Sequence, residues 1–238
     1  MGADTYYRKY LFDAFRKVSL IAVLAVVGYY IFFSHVFYCQ TIHWSGFREA
    51  GERLYVSPEI DKRGEVYIKS VVQAASRRNR LFWGPLKGKP VYIWCANARE
   101  YEKYCQSSEG AGCSLGTPFG QTYIILNPSG ANVDVVSHEL CHTELFSRLG
   151  WWKTTVQIPQ WFNEGLALML DHRFVAETDS VRRFEGYIAR YSEQLRNAHD
   201  TLRLSEIESI RGFFSGGKDR VMLAYMTAGL EVSHLLQT

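Results

Sequence analysis

The chain has 238 residues, 47% of them hydrophobic and 21% charged, and carries a net charge of +3. That length supports one sizeable core and excludes a string of independent domains, and the composition excludes disorder and collagen-like repeats. The small, well-mixed charge excludes a nucleic-acid binder, and the lack of self-similarity at a fixed period sets aside solenoids and propellers.

From Val18 to Phe47 there is no Asp, Glu, Lys or Arg. Within that stretch, 18–38 (VSLIAVLAVVGYYIFFSHVFY) is 21 residues long. As a helix it reaches across a hydrocarbon core of about 30 Å. Arg8, Lys9, Arg16 and Lys17 precede it, whereas Arg48 and Arg53 beyond it are offset by Glu49 and Glu52. This bias keeps the N-terminus in the cytoplasm and sends the remainder across. Val36-Phe37-Tyr38-Cys39 offers no small-x-small cleavage site, so the segment is expected to stay as a signal anchor. The expected layout is a cytoplasmic segment 1–17, a transmembrane helix 18–38, a juxtamembrane linker 39–57 and an extracytoplasmic domain 58–238, periplasmic in a bacterium.

A domain outside the cytoplasm can oxidise thiols. Cys105 and Cys113 bracket the short loop QSSEGAG and either close a disulfide or remain thiols; spacing leaves both open. The count of five cysteines leaves at least one unpaired or bonded between chains, and no CxxC pair marks a cysteine zinc site.

Ser57-Pro58 opens a helix expected over 58–79, and Pro90 to Trp94 reads as a strand. A short helix over 98–104 follows, then a loop over 106–120 rich in Gly and Ser, then a strand over 121–126 ended by Asn127-Pro128. Asn132 caps the next helix, Asp134 suits its first turn, and Gly150 stops it. Another helix starts near Pro159, and the last runs over 218–236. Strands mixed irregularly with longer helices indicate an α+β fold.

The helix after Asn132 carries His138-Glu139-Leu140-Cys141-His142, an HExxH. Spacing of i,i+4 stacks both imidazoles on one face, where they can share a tetrahedral metal. Glu139 sits about 100° round the helix, able to touch a water at that site without ligating. In a chain of this composition roughly 0.014 such motifs are expected by chance. Leu145 and Arg148 stand where a metzincin needs Gly and His, which excludes that class. Glu164 lies 22 residues after His142 in Trp161-Phe162-Asn163-Glu164-Gly165-Leu166-Ala167. One turn-around and a second helix bring it back toward the histidines.

HExxH followed by WFNEGLA resembles the gluzincin metallopeptidases. It is most similar to the membrane alanyl aminopeptidase branch and the small peptidase MA-like proteins, and the likeness runs from Pro90 to the C-terminus. The resemblance implies zinc held by His138, His142 and Glu164, Glu139 as general base, and a thermolysin-like catalytic domain. It also implies an edge strand beside the substrate, expected at Gln121 to Leu126. The Gly-Ala-Met-Glu-Asn motif that holds a free N-terminus in the aminopeptidases is absent, so an endopeptidase acting on peptides is the expected activity. A gluzincin places a Tyr or His opposite the zinc to stabilise the oxyanion; Tyr225 is the first candidate by position, Tyr123 a distant second and His234 weaker. Glu144 is the fallback third ligand. Cys141 is expected to pack, His35 to sit at the interface, and Asp171, His172, Arg77, Arg78, Arg80, Arg182 and Arg183 to be solvated. The rival classes are a catalytically silent gluzincin-like module that binds peptides or partners at the membrane, and a structural membrane protein with a chance HExxH.

Overall fold

The computed structural model describes residues 3–107, 110–198 and 201–237. Residues 1–2 of the expected cytoplasmic segment and 108–109 of the expected loop lie outside them.

The chain begins with α1 (Ala3–Phe32), α2 (Ser34–Gln40), β1 (Arg48–Gly51), β2 (Leu54–Val56) and α3 (Lys62–Trp83). Then come β3 (Val91–Trp94), α4 (Ala98–Cys105), β4 (Gly112–Gly116), β5 (Thr122–Leu126) and α5 (Val133–Leu149). Helices α6 (Gln160–Leu168), α7 (Ser180–Ala198), α8 (Ile210–Phe214) and α9 (Lys218–Leu235) complete it. The fold is α+β, with a five-stranded mixed sheet in the order β1-β2-β3-β5-β4.

Strand β2 runs parallel to β3 and β3 parallel to β5, while the outer pairs are antiparallel. The central strands are covered on both faces, which is why VYIW and TYIIL read as unbroken apolar runs. Alternation along them splits the core. Leu54, Val56, Tyr92, Trp94, Ile124 and Leu126 face α3 and α5 with Ile68, Val135 and Leu140. Val91, Ile93, Cys95, Tyr123 and Ile125 face the other way, against Cys39, Ile42, Tyr101 and Tyr104.

Four sequence expectations change here. The supposed linker 39–57 contributes β1 and β2, so it belongs to the sheet. The supposed loop 106–120 contains β4, whose Gly and Ser residues disfavour a strand in isolation. Those glycines are needed for closeness: a Cβ on Gly116 would sit 2.3 Å from the Phe146 ring, and one on Gly112 3.1 Å from Glu139. The edge strand is accordingly β4, with β5 enclosed between β3 and β4. Cys105 and Cys113 are disulfide-bonded, joining α4 to β4.

The fourth change concerns the span. No single helix among the described residues is long and apolar enough to cross a membrane. The expected 18–38 helix breaks at Phe33, and Tyr10–Phe32 and Ser34–Gln40 pass the length and composition test only as a pair bent by 93°. Burial explains the break. His35, Val36 and Cys39 turn inward, and the Tyr38 ring meets Tyr104 of α4 edge to face. Tertiary packing here outweighs the continuation of one helix, whereas Val18, Leu20, Ile21, Leu24 and Ile31 of α1 stay exposed.

A second, helical half stands beside the sheet. Gly165 lets α6 cross α9 closely, since a Cβ there would lie 2.4 Å from the Ala228 carbonyl. Helix α7, which sequence patterning did not resolve, seals this half with the buried Tyr187, whose hydroxyl donates to the Leu168 carbonyl at 3.1 Å.

Candidate metal centre

Helix α5 is positioned at both ends. The Asn132 side chain accepts from the Val135 amide at 2.9 Å, and Gly150 closes the C-terminus. Asp134 in the first turn pairs with Arg78 at 2.5 Å, and Arg78 also donates to the Leu170 carbonyl at 2.9 Å. Arg78 is therefore a clamp between α3, α5 and the end of α6, not part of a solvated face. Helix α5 packs on α3, on β4 and β5, and on α6, so its central turns are buried all round.

His138 and His142 project from those turns toward Glu164 of α6. One possible ligand atom from each residue lies within 4.8 Å of the others. His138 Nε2 is 3.3 Å and His142 Nε2 3.7 Å from Glu164 Oε2. That oxygen is buried and accepts no hydrogen bond, while Oε1 accepts from Gln160 at 2.8 Å. A buried carboxylate oxygen without a donor is costly unless a cation completes it. The donor set of two imidazole nitrogens and one carboxylate oxygen suits a transition-metal ion with an open position. The buried His-His-Glu group can hold a metal ion.

Neighbouring groups orient the ligands. Asn163 Oδ1 lies 2.9 Å from His142 Nδ1; with the oxygen accepting, the proton sits on Nδ1 and Nε2 keeps its lone pair for the cluster. Asp171 Oδ2 lies 3.5 Å from His138 Nδ1. Asp171 is fully buried and is gripped by Arg173, whose Nε donates to Oδ1 at 2.8 Å. Arg173 and His138 hold its carboxyl below the ordinary value against the opposing effect of burial. The expectation that Asp171 is solvated is thus corrected: the turn after α6 folds it under His138. Asn163 stood inside the motif without a role, and for Asp171 the available signal was an Arg two residues on.

Burial would lower the His138 pKa, but Asp171 and Glu164 outweigh it and raise it to about 10. Burial likewise raises Glu164, and the two imidazoles reverse this and leave it lowered. Glu139 behaves differently. It is buried beside β4, and desolvation pushes its carboxyl up, only partly countered by the two histidines. A carboxyl raised in this way is a stronger proton acceptor than a solvated glutamate.

Tyr225, on α9, stacks on Phe174 with ring centroids 6.3 Å apart and meets Phe213 edge to face at 5.0 Å. Its phenol is raised by burial and, to a lesser degree, by the charges of Glu164 and Glu139. Tyr123 is excluded as an alternative donor. Strand alternation turns it to the α2 and α4 face, away from α5. His234 is exposed against Phe184, and Cys141 is packed in the helical core. Glu144 is excluded as a ligand, because it accepts from the Lys87 and Gly88 amides and from Arg148 on another side of α5.

A cleft of about 570 Å³ opens beside His142. Ser114, Leu115 and Gly116 of β4 line it, as do Ser209, Ile210 and Arg211. Phe146, Trp151 and Ile158 give it an apolar lining, and the π-helical turn Lys153–Gln157 flanks it. Comparison with family models, curated proteins and solved structures finds no match to this chain.

Proposed function

We propose that this protein is a membrane-anchored, zinc-dependent endopeptidase of the gluzincin type, with a thermolysin-like arrangement of its catalytic residues. The observation that carries the reading is the convergence of His138, His142 and Glu164 on a carboxylate oxygen lacking a hydrogen bond, with Glu139 buried alongside. His138, His142 and Glu164 would hold the zinc, which supplies a lowered water pKa and a positive charge to polarise a carbonyl.

Glu139 takes the proton of the attacking water at its carboxylate and delivers it to the leaving amine. Asn163 and Asp171 keep the imidazoles turned toward the cluster. Tyr225 donates its phenolic hydrogen to the carbonyl oxygen as that oxygen becomes negative. The cleft along β4 receives the polypeptide beside the cluster. The absence of an N-terminus-binding motif supports cleavage of internal bonds. The exposed apolar surface of α1, preceded by Arg16 and Lys17, supports anchoring with the N-terminus in the cytoplasm and the catalytic half outside.

Two measurements on the full chain in detergent test this: zinc content, and the products of a peptide-library digestion. One zinc per chain with cleavage at internal bonds is the expected outcome. Zinc without cleavage would leave a silent binding module, and a chain without zinc would overturn the metal reading as well. A C-terminal reporter fusion with a cytoplasmic signal would overturn the topology.

A further inference from the structure

A second pocket, of about 350 Å³, lies at the end of the sheet where β3 and β5 begin. Arg53, Lys87 and Lys89 line it together with Gly120, Gln121 and Ser147, and no carboxylate does. The three cations are almost uncompensated. Arg53 Nε makes one long bond, 3.4 Å, to the Pro90 carbonyl, and the Lys87 and Lys89 side chains enter no ion pair or hydrogen bond among the described residues. Glu144, whose carboxylate accepts from the Lys87 and Gly88 amides, is already matched by Arg148. Three like charges round one hollow repel one another unless an anion enters.

Two further observations say where that anion comes from. Exposed aromatics adjoin the lining residues in the chain: Phe119, 90% exposed, precedes Gly120 in the β4–β5 turn, and Trp152 follows Gly150 by two residues. The strand starts that frame it also reach the helix that follows α1: Val91 and Tyr123, chain neighbours of the region lined by Lys89 and Thr122, pack with Cys39 of α2. The Tyr30 hydroxyl, which donates to Gln40 at 2.9 Å, ties the end of α1 to the folded body. Lysines and arginines beside exposed aromatic rings, next to an apolar helix, match the headgroup layer of a bilayer.

We infer that the Arg53–Lys87–Lys89 pocket binds the phosphate of an anionic lipid headgroup and seats the domain on the membrane surface at the foot of α1. The inference rests on the membrane anchoring proposed above. It is independent of the peptidase chemistry.

The test is hydrogen–deuterium exchange on the full chain in nanodiscs of phosphatidylcholine alone or mixed with phosphatidylglycerol. The anionic discs should slow exchange over 85–90 and 117–121 on the order of tenfold. K87S/K89S should abolish that protection, whereas R77S/R80S, at exposed positions of α3 outside the pocket lining, should retain it. Thermal melts of both variants in detergent verify that they fold. Equal exchange in the two kinds of disc, or protection that survives K87S/K89S, overturns the inference. Inorganic phosphate giving the same protection in neutral discs would also overturn it, marking a site for the free anion. A chain that does not enter discs brings down the anchoring along with the inference, whereas entry without protection brings down the inference alone.

Discussion

Two buried glutamates beside α5 have opposite surroundings. Glu144 is fully buried, and its carboxylate accepts from the Lys87 amide at 2.9 Å, the Gly88 amide at 2.7 Å and Arg148 at 2.8 Å. Glu164 is 5% exposed, and its Oε2 faces only two imidazoles. The first carboxylate is complete and holds the 84–90 loop to the helix. The second is incomplete within the protein alone. A satisfied buried charge is architecture, and an unsatisfied one beside other donor atoms is where a ligand belongs. Sequence ranked them only through the resemblance, with Glu164 as the third ligand and Glu144 as the fallback, and said nothing of their partners.

The comparison can be broken or sharpened by substitution. The largest effect should come from Glu139→Gln, which removes the proton acceptor and leaves the ligand set intact. Peptide hydrolysis should fall by on the order of 10²–10⁴ with zinc content unchanged. An active Glu139→Gln protein would overturn the mechanism.

On the architectural side, Glu144→Ala strands Arg148 and two amides, and should cost about 3–5 kcal/mol in denaturant unfolding. Glu164→Gln in the metal-free chain should cost less, because Oε2 accepts no hydrogen bond and His138 keeps Asp171 as a charged neighbour. Equal costs at the two positions would erase the contrast. Tyr225→Phe should retain zinc and lower turnover by on the order of 10²–10³, the usual consequence of losing one oxyanion donor. Unchanged turnover would return Tyr225 to the aromatic core it shares with Phe174 and Phe213.

Asp171→Asn should weaken metal binding by about 10–100-fold, measured by competition with a chelator, because His138 loses its negative partner. The smallest effect concerns Glu65, a second satisfied carboxylate. Lys69, Lys62 and Arg48 pull its pKa down from 4.5 to about 2. Its folded pKa lies below the unfolded one, so its stabilisation is complete above pH 4.5 and is lost as pH falls through 2. The thermal midpoint should decline across that window, and Glu65→Gln should flatten the decline.

Much of this protein was legible because short-range physics dictates it. The central strands announce themselves through apolar runs, α5 through Asn132 and Gly150, and the two histidines through spacing that any helix turns into one face. The Glu164 helix followed from its own pattern. What remained hidden depends on neighbours distant in the chain. Strand β4 exists because an apolar partner and the close approach of Phe146 demand glycine there, a demand that looks like a loop in one dimension. The break at Phe33 follows from the core that receives Val36 and Cys39. Asp171, Arg78 and Glu144 are charged residues whose burial depends on partners folded back against them. Sequence by itself determined which residues could ligate a metal, because donor chemistry and helical period are local properties. The tertiary structure alone decided which carboxylate was left short of a partner, because satisfaction of a buried charge is a property of everything packed around it.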